Sequence, residues 1–309
     1  MRKILVTGGA GFVASCLAER LIQNPDNFVV IVDNMLTGHK ENLPSDKQTN
    51  WKFIKCDANI LPDISQVMVS YQFDYVFHYA AVVGVKRTLN HPVKVLEDIE
   101  GIKNVLNLSK NTGVKRIYFS SSSEVYGEPV EYPQNEDTTP LNSRLPYAVV
   151  KNIGESFIKS YHKEYGLDYT IFRFFNTYGP RQSTDFVVSK FLHAALKNQD
   201  ITIYGDGKQT RTFCYIDDNI EATTNALDKN LHINDVINIG SEKEVPVLTL
   251  AKEIIKIAKS KSKIIHTPAL KEGDMTRRQP DASKMKVLLN RKLTPLQDGL
   301  TKTMLSGRF

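Results

Sequence analysis

Short apolar runs alternate along the chain with longer stretches whose apolar residues recur every three or four positions. The runs Lys3–Thr7, Phe28–Asp33, Trp51–Cys56, Tyr75–His78, Arg116–Ser120 and Asp168–Phe174 read as strands. Between them, Phe12–Gln23, the segment around Ile64–Ser70, Val93–Asn111 and Tyr147–Tyr165 carry helical spacing. Val95, Ile99, Ile102 and Leu106 make one stripe, and Val150, Ile153, Phe157 and Tyr161 another. Strands too apolar to face water, strictly separated by helices, predict an α/β fold with a doubly wound parallel sheet covered on both sides. That pattern runs over residues 1–178. After Gly179 the texture changes to turns (Gly205-Asp206-Gly207, Gly240-Ser241), short strands and further helices. It predicts a smaller α/β lobe over 179–309, with the chain crossing between lobes.

Composition narrows the class. At 309 residues, 41% hydrophobic and 24% charged, the chain is long enough for a large core and excludes disordered or fibrous architecture. Forty basic against thirty-four acidic residues give +6. A phosphate-bearing small substrate explains that mild excess as well as nucleic acid does, and no RNA-recognition or helix-turn-helix signature is present. Cys16, Cys56 and Cys214 are odd in number and widely spaced, which argues against a disulfide framework or a cysteine metal site. The expectation is no metal, a reducing, cytoplasmic setting and no membrane span. Met1-Arg2-Lys3 before an apolar run imitates a secretory leader, but Gly8, Gly9 and Gly11 break the run in its middle.

Those glycines fit a different use. Ile4 to Ala14 reads strand, glycine-rich turn, helix, with the spacing G-x-x-G-x-x-A. Gly8 allows the tight turn, Gly11 allows close approach of a pyrophosphate, and the helix start offers unpaired N–H groups. Asp33 ends the next strand, where a carboxylate accepts from ribose hydroxyls and repels a 2′-phosphate, so NAD is favoured over NADP. A solvated strand-end acid is the plain alternative for Asp33. A second motif, Tyr147-Ala148-Val149-Val150-Lys151, puts a phenol and an ammonium on one helical face. A neighbouring ammonium and a nicotinamide cation lower the phenol's pKa and let it act as a base. Tyr204 and Lys208 share the spacing, but the Gly-Asp-Gly turn between them cannot be helical. Ser120 to Gly127 places hydroxyls and Glu124 at the end of the fifth strand, the ligand-binding edge of such a sheet.

Together TGGAGFVA, SSSSEVYG, YAVVK, RFFNTYGPR (Arg173–Arg181), YGDGKQTRTFCYIDD (Tyr204–Asp218) and RRQPDASK (Arg277–Lys284) resemble the extended short-chain dehydrogenase/reductases that act on nucleotide sugars. The resemblance runs in order from Arg2 to Leu300. It is nearest the branch of UDP-glucuronate decarboxylases, UDP-sugar 4-epimerases and dTDP-glucose 4,6-dehydratases. It implies a Rossmann domain with a C-terminal substrate lobe, and a homodimer formed through Val93–Asn111 and Tyr147–Tyr165. It implies NAD held by Gly8, Gly11, Phe12, Val13, Asp33, Asp57 and Ala58, with Ala80 and Ala81 beside it. Ser122 then holds the reacting oxygen, Tyr147 is the base, and Lys151 supports it and anchors the ribose. Asn176, Arg211 and Arg277 or Arg278 contact the substrate diphosphate. Without the resemblance, the basic stretch Lys271–Lys292, seven basic against three acidic residues, reads as a solvated face.

Departures from the pattern bear on the reaction. Family dehydratases carry Asp-Glu where this chain has Ser123-Glu124, which disfavours 4,6-dehydration. Glu124 and Arg277–Asp281 match the decarboxylase branch, yet Asn152 follows Lys151 where decarboxylases carry arginine. Asp98 replaces the usual asparagine, and Lys271 an epimerase arginine. The expected step is oxidation of the sugar C4 hydroxyl by NAD, with C4 epimerisation or net dehydrogenation favoured over decarboxylation. A catalytically silent NAD-binding regulator is the remaining alternative, and the presence of both Tyr147 and Lys151 counts against it.

Overall fold

The computed structural model describes residues 1–45, 47–128, 130–268 and 277–308. Six strands fall where the apolar runs predict them: β1 (Arg2–Thr7), β2 (Asn27–Asp33), β3 (Trp51–Lys55), β4 (Tyr75–His78), β5 (Arg116–Ser122) and β6 (Asp168–Phe174). A seventh, Asp235–Ile239, comes from the C-terminal half and pairs parallel with β6. The order is Asp235–Ile239, β6, β5, β4, β1, β2, β3, all parallel. The chain therefore reverses its direction of winding between β1 and β4. Their carboxyl ends lie side by side there, with Thr7 in register with His78, and this is where an open α/β sheet binds ligands.

Strand alternation builds two cores. On β1, Ile4 and Val6 face the helix Phe12–Leu21, which packs on the helix Ile216–Asp228. Leu5 faces the other layer, made by the helices Leu61–Tyr71, Asp98–Thr112 and Pro146–Tyr165. The first stripe is largely buried, with Val95, Ile102 and Leu106 at most 3% exposed and Ile99 half-buried, whereas in the second Val150 is buried and Ile153, Phe157 and Tyr161 are half-buried. The Val93–Asn111 pattern resolves into two helices, Pro92–Leu96 and Asp98–Thr112, with Glu97 between them. Glu97 at the junction keeps helical backbone angles, and Asp98 beside it accepts hydrogen bonds from Val82 N (2.7 Å) and Asn59 Nδ2 (3.3 Å).

Beyond residue 179, Ile201–Tyr204 pairs with Ile264–Thr267 and Thr210–Thr212 with Glu244–Pro246. Helices Val187–Leu196, Val247–Ile257 and Leu296–Ser306 cover them, and their apolar residues join the core under β1. Among the described residues no helix is long and apolar enough to cross a membrane.

Candidate active site

A cleft of about 340 Å³ opens along the carboxyl ends of β1, β2, β4 and β5. Its first half is built by the glycine turn. Gly8 has φ +69°, and a Cβ there would lie 2.8 Å from the Ala80 backbone, so only glycine lets the β1 and β4 loops close. Gly11 caps the Phe12–Leu21 helix with no side chain of its own, leaving the first-turn N–H groups facing the cleft beside Phe12 and Val13. Asp33 is buried; its carboxylate accepts from Ala10 N (3.0 Å) and Met35 N (2.7 Å). Each oxygen keeps a lone pair for a ribose hydroxyl. Asp57 accepts from Asn34 Nδ2 (3.0 Å) and lines the same end with Ala58, while Ala80 and Ala81 form the wall after β4. A glycine cradle, a helix start and a strand-end carboxylate converge, so the residues present fit a dinucleotide.

Two members of this half have roles that the glycine spacing does not assign. Thr7 Oγ1 accepts from Tyr79 N and Ala80 N (both 3.1 Å) and lies 2.9 Å from His78 Nδ1. With two bonds accepted, its proton goes to His78, which fixes the imidazole neutral with the proton on Nε2. Burial, aided by the Lys151 charge, pulls His78 down to about 3, in keeping with that state. Gly38 is the other; a Cβ would meet Ala10 Cβ at 2.7 Å and the Asp33 carboxylate at 2.8 Å. Repacking a threonine on a strand or a glycine in a loop leaves no periodic trace in sequence.

The chemical half lies at the end of β5. The chain turns from Ser122 into a single 3-10 turn, Ser123–Tyr126, and Ser122 Oγ caps it by accepting from Glu124 N (3.2 Å). The Pro146–Tyr165 helix brings Tyr147 and Lys151 to this point, where both line the cleft beside Ser122. Burial raises the Tyr147 pKa and Glu124 and Asp98 raise it further, while Ser122 and Arg278 oppose them. Lys151 is 2% exposed. Its Nζ points to Ser120 Oγ (3.5 Å) and over the Phe119 ring (4.9 Å), 5.7 Å from the centre of the Tyr147 ring. Burial pulls its pKa down to about 8, and the Asp98 carboxylate pushes back.

The far end of the cleft holds Asn176, Glu124 and Arg278. Asn176 has φ +33°, and its buried Nδ2 has no hydrogen-bond partner within the described residues. Arg278, 6% exposed, reaches Ser123 Oγ (3.4 Å) and Glu124 Oε1 (3.5 Å). Arg277 does not line the cleft. It makes a bidentate pair with Glu244 (2.7 Å twice) and lies 4.2 Å above the Tyr132 ring. Arg211, buried on Thr210–Thr212, also stands off the cleft, donating to Thr210 O (2.7 Å). Most other cations of the basic stretch are paired: Lys284 with Asp235 (2.7 Å), Lys286 with Glu242 (2.6 Å), Arg291 with Asp218 (2.8 Å). Lys271 lies outside the described residues.

Comparison with known proteins agrees with this geometry. Residues 4–240 match the NAD dependent epimerase/dehydratase family. The chain is 38% identical over 299 residues to a UDP-N-acetyl-alpha-D-glucosaminuronate decarboxylase of Bacillus cytotoxicus, covering 92% of this chain and 91% of that one. It is 34% identical to UDP-glucuronic acid decarboxylase 1 of Danio rerio, covering 98% of this chain and 72% of the relative. Among solved structures, UDP-glucose 4-epimerase of Thermotoga maritima, with UDP-glucose, superposes with a TM-score of 0.92 at 32% identity over 98% and 97% of the chains. UDP-glucuronic acid 4-epimerase of Bacillus cereus, with UDP-glucuronic acid and NAD, gives 0.89 at 31% identity over 98% of each. With a glycine cradle, a Ser–Tyr–Lys cluster and a family match over most of its length, the chain belongs to the NAD dependent epimerase/dehydratase family.

Proposed function

We propose that the protein oxidises C4 of a UDP-linked hexuronate and discharges the C6 carboxylate as carbon dioxide. The observation that carries this reading is Arg278, a buried guanidinium set on Glu124 at the Tyr147 end of the cleft. A guanidinium has five donors and engages a second carboxylate while keeping Glu124. Every UDP-sugar carries a diphosphate for such a cation, and only a hexuronate adds a carboxylate beside Glu124. The decarboxylases among the relatives support the choice.

Tyr147 takes the C4 hydroxyl proton, with Ser122 holding the same oxygen. NAD, when bound, accepts hydride from C4 and returns it. The C4 ketone makes the C6 carboxylate that of a β-keto acid. As the C5–C6 bond breaks, its electron pair moves toward the C4 oxygen, where the Tyr147 and Ser122 hydroxyls stabilise the negative charge. Glu124 repels the substrate carboxylate in the ground state, and that repulsion ends when neutral carbon dioxide leaves. A proton then goes to C5. Incubation with NAD and UDP-glucuronate labelled at C6 is expected to release labelled carbon dioxide and leave a UDP-pentose. Formation of the 4-epimer with the label retained decides for the C4-only reading, which the neighbouring 4-epimerase structures favour.

Asp33 sets cofactor choice in this reading, since a 2′-phosphate would meet its buried carboxylate. Binding titrations are expected to show NAD(H) preferred over NADP(H), and Asp33→Ala to narrow the gap; equal affinities in the unmodified protein would remove Asp33 from this role. Lys151 sets a pH limit. It is charged below about pH 8 and neutral above it, so kcat/KM is expected to fall as pH rises through that region. Asp98→Asn removes the carboxylate that favours the ammonium, and the alkaline limb should move toward acid. A limb that stays put would assign it to another group.

A further inference from the structure

Beneath the cleft floor lies a charge pair that the chemistry above does not use. Arg173, near the end of β6, donates from Nε to Glu155 Oε1 (2.9 Å) and from NH2 to Glu155 Oε2 (2.7 Å). Both side chains are at most 2% exposed. Glu155 stands one helical turn beyond Lys151 and two beyond Tyr147, on the same helix. Lys159 Nζ, half exposed, approaches the same carboxylate at 3.9 Å.

Branches run from this pair to the site. Ser121, which precedes Ser122, donates to Glu155 Oε1 (2.6 Å). Arg173 NH1 donates to Tyr126 Oη (2.8 Å) and Glu136 O (3.3 Å), and its guanidinium carbon lies 4.8 Å from the Tyr126 ring centre. Tyr126 Oη in turn donates to Asn238 Oδ1 (2.8 Å). Tyr126 closes the turn that carries Glu124. One buried network thus joins the helix of Tyr147 and Lys151, the strand end of Ser122, the turn of Glu124, and β6, which leads to Asn176.

A buried ion pair stabilises little over a well-packed apolar pair of similar volume, because desolvation offsets the attraction. A bidentate fork adds direction, which an apolar contact lacks. We propose that Glu155 and Arg173 are positioning residues for the oxidation step, holding Ser122 and Glu124 in register with Tyr147. The inference rests on the reading of Tyr147 as the base.

The double variant Glu155→Met/Arg173→Met removes both charges at similar volume. It is expected to fold and to bind NAD within about threefold of the parent. Its kcat for substrate-dependent reduction of the nicotinamide should fall about 100-fold with KM little changed, the scale of a ~1 Å misplacement. Arg173→Lys keeps the charge without the fork and is expected not to restore the rate. A folded double variant turning over within about threefold of the parent overturns the proposal, because a structural role alone lowers the folded fraction and not the rate per folded site. If the double variant does not fold, Ser121→Ala and Tyr126→Phe decide: about tenfold slower turnover at unchanged Tm is expected, and rates within about twofold overturn it. A crystal structure of whichever variant folds gives a readout independent of the reaction. A displacement of Ser122 or Glu124 relative to Tyr147 by about 1 Å is expected, and an unchanged arrangement counts against the proposal even where the parent oxidises no sugar tested.

Discussion

Tyr147→Phe is expected to keep the fold and NAD affinity and to lose about 10²–10⁴-fold in turnover, the usual contribution of a positioned base. Tyr147 lines the cleft together with Ser122 and Lys151. In the protein alone it is a poor base, since burial, Glu124 and Asp98 all favour the neutral phenol. Its strength must come from the positive charges near it: Arg278, which already opposes the rise, the Lys151 ammonium 5.7 Å from the ring centre, and the nicotinamide of bound NAD. Removing only the hydroxyl leaves the ring to pack, so stability should change little. Stopped-flow recording of nicotinamide reduction with substrate in excess measures the step directly. A rate above about a tenth of the parent's would move the base elsewhere. Ser122→Ala should be milder, because water partly replaces a hydroxyl, whereas Lys151→Met should damage turnover and NAD affinity together.

Arg278→Met is expected to lower kcat/KM for a UDP-hexuronate by roughly 30- to several-thousand-fold, the range for removing one partner of a buried hydrogen-bonded charge pair (about 2–5 kcal/mol). Oxidation of a neutral UDP-hexose should be spared by comparison, since it offers no carboxylate. The difference between the two substrates is the diagnostic, because leaving Glu124 without its cation harms both equally. Glu124→Gln separates the steps: the 4-keto species should still form, with carbon dioxide release stalled. Equal losses for charged and neutral sugars, or release of carbon dioxide unaffected by Glu124→Gln, would return the C4-only reading.

The sequence-derived lean was toward that C4-only chemistry, on the strength of Asn152 after Lys151 and Ser123 in place of a dehydratase acid. The decarboxylase reading proposed above rests instead on Arg278. Neighbours in sequence point to opposite sides of an extended chain, so one of Arg277 and Arg278 faces the cleft and the other faces away. Which one does so depends on the pairing of residues 279–281 with Gln134, through Gln134 N to Gln279 O (2.7 Å) and Asp281 N to Gln134 O (2.8 Å). Nothing local to RRQPD encodes that register.

What the sequence determined by itself is what short-range geometry controls. The parallel sheet follows from apolar runs at helix-separated intervals, and the glycine turn from Gly8 and its place after β1. Tyr147 and Lys151 share a face because a helical turn spans four residues, wherever the helix packs. Tertiary structure alone decided the contacts between distant segments. It turned Arg277 onto Glu244 and set Arg278 on Glu124. It bound Asp98 to Val82 and brought Asp235–Ile239 beside β6. It also pointed the Lys151 ammonium at Ser120 and the Phe119 ring, 5.7 Å from the centre of the Tyr147 ring. Each of these depends on the path of backbone far away in sequence, and a one-residue change of register would reverse which side chain meets the cleft.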